Sequence, residues 1–335
     1  MRIGRRTALK IGGAALLSGA PAIVQAQAAQ KLDLSTVWPD GNFHTQNAKK
    51  YAEEVAKATN GGVQITVHSG GSLGYKGPEH LNAVRDGLVP MADVLNIQQV
   101  GEVPLMGMEG ISFLVPGPKE LKVLHKYLRP EFEKIAEKYR QKILYMVPWP
   151  NQYLHCKVKT DSVDGFKGLK IRVPDRNAQE MVQALGMTGV LIPWGETVPA
   201  LASGAVVGVT TSATSGVDGK FWEFLKYFYA TNHAWSCQMV TINLDVWNKL
   251  QAPHRKAMED LGKSLEPQFW QVSVDNDAQS AKRLVEGGME RIELSPAMMK
   301  EMQAKTAPLV EAWVKRVGGP SADIIAKYSK EVGRA

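Results

Sequence analysis

The chain has 335 residues, 44% hydrophobic and 22% charged, with 40 basic against 33 acidic side chains and a formal charge of +7. Four of those positive charges, Arg2, Arg5, Arg6 and Lys10, lie at the N-terminus and leave +3 for the rest, too mild an excess to point to nucleic acid or an anionic membrane surface. Two cysteines without a CxxC pair and 7 scattered histidines without HExxH argue against zinc, and no GxSxG, SxxK or dinucleotide fingerprint marks an enzyme.

The chain opens with an export signal. Basic residues precede an apolar segment from Ile11 to Val24, and small residues follow at Ala26 and Ala28. The pair Arg5-Arg6 gives it a twin-arginine character. Glycines and Pro21 interrupt the apolar segment, which makes it too short to span about 20 residues of bilayer. We read residues 1–28 as cleaved and the mature chain as periplasmic. About 300 residues remain, enough for two lobes with cores of their own.

Leu32 to Val37 alternates as a strand, and Trp38-Pro39-Asp40-Gly41-Asn42 breaks it into a loop. Ala48, Tyr51, Ala52, Val55 and Ala56 form one face of a helix that stops at Asn60-Gly61-Gly62. A strand at Val63 to Val67 leads to Ser69-Gly70-Gly71-Ser72-Leu73-Gly74, a tight turn lacking the lysine of a phosphate loop. Pro78 opens a helix closed by Gly87, and Asp93 to Ile97 reads as a strand that carries Leu95 and Asn96. Helices are predicted around Leu121-Leu124-Leu128 and around Phe132 to Tyr139, followed by a strand from Ile143 to Val147. Alternation of strand and helix predicts an α/β lobe with a largely parallel sheet.

Pro148-Trp149-Pro150-Asn151-Gln152-Tyr153 reads as a first crossing between lobes, and Gln238 to Asn243 as the return. Between them, Gly165 to Pro174 places Arg172 at the end of a short strand. Val190-Leu191-Ile192 precedes Pro193-Trp194, and a strand from Val206 to Thr210 stops at Thr211-Ser212-Ala213-Thr214-Ser215. Ligands of parallel α/β sheets bind beyond the carboxyl ends of the strands. There an arginine fork, an apolar wall and hydroxyls suit a small carboxylate. Each residue also has a plainer use: Arg172 as a surface cation, Trp194 and Trp38 as packing, Thr211 and Ser212 as turn or cap residues. Cys156 and Cys237 read as separate buried thiols, with a disulfide as the alternative.

Asp245 is expected to cap a short helix holding Trp247 and Leu250. Pro253 starts a long helix to about Glu286, with a bend expected at Pro267, and Pro296 starts a final helix running through Met299, Met302 and Trp313.

As an ordered set, Thr59-Asn60-Gly61-Gly62 with Ser72-Leu73-Gly74, Leu169-Lys170-Ile171-Arg172-Val173-Pro174, and Pro199 to Gly208 resemble the extracytoplasmic solute-binding proteins of tripartite ATP-independent periplasmic (TRAP) transporters, the DctP-like family. The resemblance implies an α/β, two-lobed periplasmic-binding-protein-like fold with an interlobe ligand cleft and a long bent helix spanning both lobes. The expected division is lobe I at 29–149 plus 238–277, lobe II at 150–237 plus 278–317, and a tail at 318–335. It also implies a salt bridge from Arg172 to the ligand carboxylate, with Pro174 and Trp194 beside the ligand.

Two positions depart from the family pattern. Thr211 stands where the family has a ligand-binding asparagine, and Asn151, before Gln152, stands where some members have a second arginine. These departures count against sialic-acid-like and dicarboxylate ligands. They favour a monocarboxylate, with room for an aromatic or branched tail, handed to TRAP membrane subunits by a monomeric receptor without cofactor. Trp38, Leu95, Asn96 and Ser212 complete the candidate ligand-binding set with Arg172, Pro174, Trp194, Thr211, Asn151 and Gln152. An exported enzyme and a ligand-binding module for a sensor are the rival classes.

Overall fold

A computed structural model describes residues 29–334. The predicted export signal lies outside the described residues. Two sheets organise the chain, one of five strands and one of six. Each is the centre of a lobe.

The first lobe begins with β1 (Gln30–Ser35), α1 (Phe43–Ala58) and β2 (Val63–His68), and β1 and β2 pair in parallel. Asn42 caps α1 by accepting from His44 N. The helix buries Ala48, Tyr51, Ala52 and Val55, and Asn60 and Gly61 end it in the left-handed region at φ 49° and 77°. There follow α2 (His80–Arg85), β3 (Met91–Leu95), α3 (Pro118–Lys138) and β4 (Gln141–Pro148). The two helices expected between 121 and 139 are one 21-residue helix that runs through Pro130. Leu121, Leu124, Leu128, Phe132 and Ala136 keep a single buried stripe across the proline, and that packing outweighs the lost hydrogen bond.

The second lobe holds β5 (Gln152–Cys156), β6 (Lys170–Val173), α4 (Arg176–Ala184), β7 (Thr188–Leu191), α5 (Trp194–Ala202), β8 (Gly208–Ser212), α6 (Ala213–Asp218) and β9 (Tyr227–Tyr229). β6, β7 and β8 are parallel, and β5 runs antiparallel to β8 and β9. The chain then returns as β10 (Cys237–Asn243), which enters the first sheet antiparallel between β3 and β4. The first sheet is therefore mixed, with one reversed strand among four parallel ones. The two crossings lie side by side, with Trp149 N donating to Ser236 O at 2.7 Å. Cys156 and Cys237 fall in different sheets, both buried and both free.

After α7 (Leu244–Lys249), the 35-residue α8 (Ala252–Glu286) spans roughly 50 Å at 1.5 Å per residue. Asn243, and not Asp245, caps α7. Leu265 and Phe269 of α8 enter the first lobe's core, whereas Ala281 and Leu284 enter the second's. Gly262 lets the helix approach β4, because a Cβ there would lie 2.2 Å from Leu144 O. Pro267 sits inside this continuous helix.

The end of the chain departs from the expected division. β11 (Glu290–Ile292) joins the second sheet, but the single final helix is split by Pro308 into α9 (Pro296–Thr306) and α10 (Pro308–Val317). Met298 and Met302 of α9 pack in the second lobe, while Trp313 of α10 packs in the first. The expected tail is α11 (Ser321–Glu331), whose Ile324 and Tyr328 are buried in the first lobe's core. Tyr328 Oη donates to Leu114 O at 2.8 Å.

Candidate ligand-binding site

β6 carries Arg172 between two core residues. Ile171 and Val173 point into one core of the second lobe, so Arg172 faces the other side, the side it shares with its cross-strand partner Val209 and with Thr211 two residues further along β8. Its side chain is only 2% exposed. Nε donates to Ile192 O at 2.9 Å, and no carboxylate forms an ion pair with the guanidinium among the described residues. Burial pulls its pKa down to about 10, with Asp175 opposing the shift. Asp175 is otherwise engaged, accepting from Asn177 N at 2.8 Å and Ala178 N at 3.1 Å as the cap of α4. Burial pushes its carboxyl to about 6. A buried cation lacking a close counter-charge is costly, and an incoming carboxylate relieves that cost.

Thr211, 7% exposed, makes no side-chain hydrogen bond among the described residues, and its carbonyl accepts from His155 Nε2 at 3.2 Å. Arg172 and Thr211 thus offer a guanidinium and a hydroxyl on one face of neighbouring strands. Trp194, the first residue of α5, follows Ile192 closely and extends the same side toward the first lobe. Its ring lies 5.8 Å from Trp38 and 6.5 Å from Phe221, centroid to centroid. Trp38 is 4% exposed and stacks edge-on against Trp149 at 4.5 Å. The indole N–H of Trp38 is buried with no acceptor. His44, on the first turn of α1, also lies 4.5 Å from Trp149, and its Nε2 is buried and unpartnered. Burial holds the His44 pKa well below the ordinary histidine value, so the ring is neutral.

The remaining candidates divide. Pro174 lines an interlobe cavity of about 580 Å³ with Ile192 and Pro193 from the second lobe and Pro78 and Gln98 from the first. Asn151 presents a buried, unpartnered Oδ1 on the first crossing, whereas Gln152 donates to Pro150 O at 2.9 Å and stitches that crossing. Ser212 points to the opposite face from Thr211 and caps α6, accepting from Ser215 N at 3.1 Å. Leu95 is buried with Trp38, and Asn96 is fully buried with Nδ2 donating to Glu109 Oε2 at 3.2 Å. Sequence reasoning missed His44 and Phe221. The loop from Trp38 to Asn42 leading straight into His44 was the available signal for the first.

Three contacts hold the lobes together around this region. Asn42 Nδ2 donates to Asp218 Oδ2 at 2.6 Å, Lys76 pairs with Glu196 at 2.8 Å, and Asn177 Nδ2 donates to Gly107 O at 2.7 Å. Burial raises the Asp218 pKa to about 6 against the lowering effect of the Asn42 hydrogen bond.

One trio elsewhere has metal-ligand chemistry: donor atoms of Glu109, His125 and Cys237 lie within 4.8 Å of one another in the first lobe. The Glu109 carboxylate already accepts from His125 Nε2, Asn96 Nδ2 and Cys237 N. Three donors satisfy a buried carboxylate without a metal.

The family model of the bacterial extracellular solute-binding proteins of family 7, DctP, matches residues 34–316, and the chain belongs to that family. A Bordetella pertussis extracytoplasmic solute receptor binding pyroglutamic acid is 29% identical, with a TM-score of 0.86 over 90% of this chain and 99% of that one. A marine-metagenome TRAP solute-binding protein specific for pyroglutamate, solved with the co-purified compound, is 26% identical, again with a TM-score of 0.86 over 90% of this chain and 99% of that one. The C4-dicarboxylate-binding periplasmic protein DctP of Rhodobacter capsulatus is 27% identical over 221 residues, 64% of this chain and 65% of its own length. Among the described residues no helix is long and apolar enough to cross a membrane.

Proposed function

We propose that this protein is a periplasmic receptor that captures a small monocarboxylate of the pyroglutamate class and delivers it to the membrane subunits of a TRAP transporter. The observation that carries the reading is Arg172: a buried guanidinium, at the carboxyl end of a parallel strand, with no ion-pair partner among the described residues. A carboxylate meeting it forms charge-assisted hydrogen bonds contributing about 1.5–3 kcal/mol. Micromolar affinity needs roughly −8 kcal/mol, so burial of the ligand against Trp38 and Trp194 and closure of the lobes supply the rest. Closure converts occupancy into a shape that a membrane partner recognises.

A dicarboxylate is the second reading, prompted by the Rhodobacter relative. Asn151, where some members carry an arginine, gives no charge to a second carboxylate. The receptor role assigns no bond-making step to any residue, and the N-terminal segment 1–28 serves export. A thermal-shift screen of the mature, ligand-stripped protein against small acids tests the proposal. Stabilisation by pyroglutamate or a close analogue supports it, and indifference to every monocarboxylate opposes it.

A further inference from the structure

Among the described residues, two neighbouring ring nitrogens of the first lobe lack a hydrogen-bond partner. Trp38 and His44 are each 4% exposed, and Trp38 Nε1 and His44 Nε2 are both buried without a hydrogen bond. Both rings rest 4.5 Å from the same ring, Trp149. Both come from the segment that leaves the carboxyl end of β1 and enters α1, and this segment faces the second lobe: Trp38 meets Trp194, and Asn42 bonds Asp218. Burying polar nitrogens unpaired costs free energy, so a matched pair at an interlobe surface points to a polar group that arrives from outside the chain.

The charge of this corner narrows the group. None of the ion pairs or cation–π contacts among the described residues involves Trp38, His44 or Trp149. The Trp149 indole N–H donates to Gln238 Oε1, and Gln238 Nε2 donates in turn to the buried Asp93. The charged groups around this segment already face one another: Asp40 pairs with Lys49, Asp218 accepts from Asn42 and feels Arg283, and Asp93 lies behind Trp149 through Gln238. Trp38 and the neutral His44 bring no positive charge to meet a second carboxylate, whereas a neutral carbonyl or amide suits an indole donor and a neutral imidazole.

Resting on the carboxylate reading of Arg172, we propose that Trp38 Nε1 and His44 Nε2 read the far end of the ligand and select a monocarboxylate bearing a neutral amide or lactam. They discriminate against dicarboxylates, which bring a second charge, and against apolar acids, which leave both nitrogens unpaired.

Calorimetric titration of the mature protein, stripped of carried-over ligand by unfolding and refolding, tests this with three acids: pyroglutamate, cyclopentanecarboxylate and glutarate. The expected result is pyroglutamate favoured over cyclopentanecarboxylate by about a hundredfold, with glutarate weaker than pyroglutamate. Trp38→Phe and His44→Phe, made separately so that one folded variant suffices, should each narrow the pyroglutamate-to-cyclopentanecarboxylate ratio by about tenfold. An unchanged ratio in a folded variant, or glutarate binding as tightly as pyroglutamate, overturns the assignment while leaving Arg172 as carboxylate anchor. Failure of all three acids to bind overturns the carboxylate reading and this inference with it.

Discussion

Trp38 of the first lobe and Trp194 of the second stand 5.8 Å apart, an aromatic contact made across the cleft by residues that the chain separates by most of a lobe. Opening the lobes parts them and wets both rings. Ligand-driven closure should therefore change tryptophan emission on titration with a binding acid. Trp194→Phe should remove most of that change while weakening binding by about tenfold, the loss expected from trimming one aromatic contact. Equal fluorescence responses in wild type and variant would place the moving contact elsewhere.

Asp218 links the lobes through Asn42, and burial raises its pKa to about 6. Its folded-state pKa lies above the unfolded value near 4, so the folded form binds protons more readily as pH falls through 6. The wild type gains stability relative to a variant that cannot titrate there. The melting temperature of Asp218→Asn, minus that of wild type, should thus be largest near pH 8 and shrink between pH 7 and pH 4. A difference that is constant across this range would show that Asp218 ionises normally.

Gly208 pairs with Ile171 and Cys156 in the second sheet, and a Cβ there would lie 2.5 Å from His155 O and 2.7 Å from Ile171 Cδ1. The obstruction on one side is backbone, which cannot swing aside. Gly208→Ala should destabilise by about 1–3 kcal/mol in chemical denaturation, the usual range for overpacking. Because β8 carries Thr211, affinity should fall as well.

Cys156 and Cys237 are buried thiols in separate sheets, and burial raises the pKa of both. Native protein should react with neither equivalent of a thiol reagent, and denatured protein with both, without prior reduction. The melting temperature should be indifferent to reductant.

Much of this was legible because hydrophobic periodicity and turn residues are local signals. The α1 stripe from Ala48 to Val55, its end at Asn60-Gly61, and the strand that delivers Arg172 beside Pro174 can all be read from neighbouring residues. What escaped depends on distant partners. Pro130 looks like a break until the stripe from Leu121 to Ala136 is seen to continue beneath β4, and Asp245 looks like a cap until Asn243 is found two residues earlier. α10 and α11 carry no local sign that Trp313 and Tyr328 return to the first lobe. At the site, Thr211 and Ser212 are adjacent hydroxyl residues of similar chemistry, yet the period-2 alternation of β8 sends them to opposite faces, one to cap a helix and one to the face that carries Arg172. His44 was missed because its importance lies in an unpaired nitrogen against Trp149, more than 100 residues away.

The central claim rests on Arg172, and the most direct test compares wild type with Arg172→Met by calorimetry against pyroglutamate. Removing a buried guanidinium that has no ion-pair partner among the described residues should leave the melting temperature of the ligand-stripped protein unchanged or raised, because the methionine carries no desolvated charge. Binding should fall by at least about a hundredfold, the loss expected when a buried charge-assisted pair is broken. One-to-one binding in the wild type that disappears in a folded Arg172→Met is the predicted result. Undiminished affinity in that variant would contradict the account.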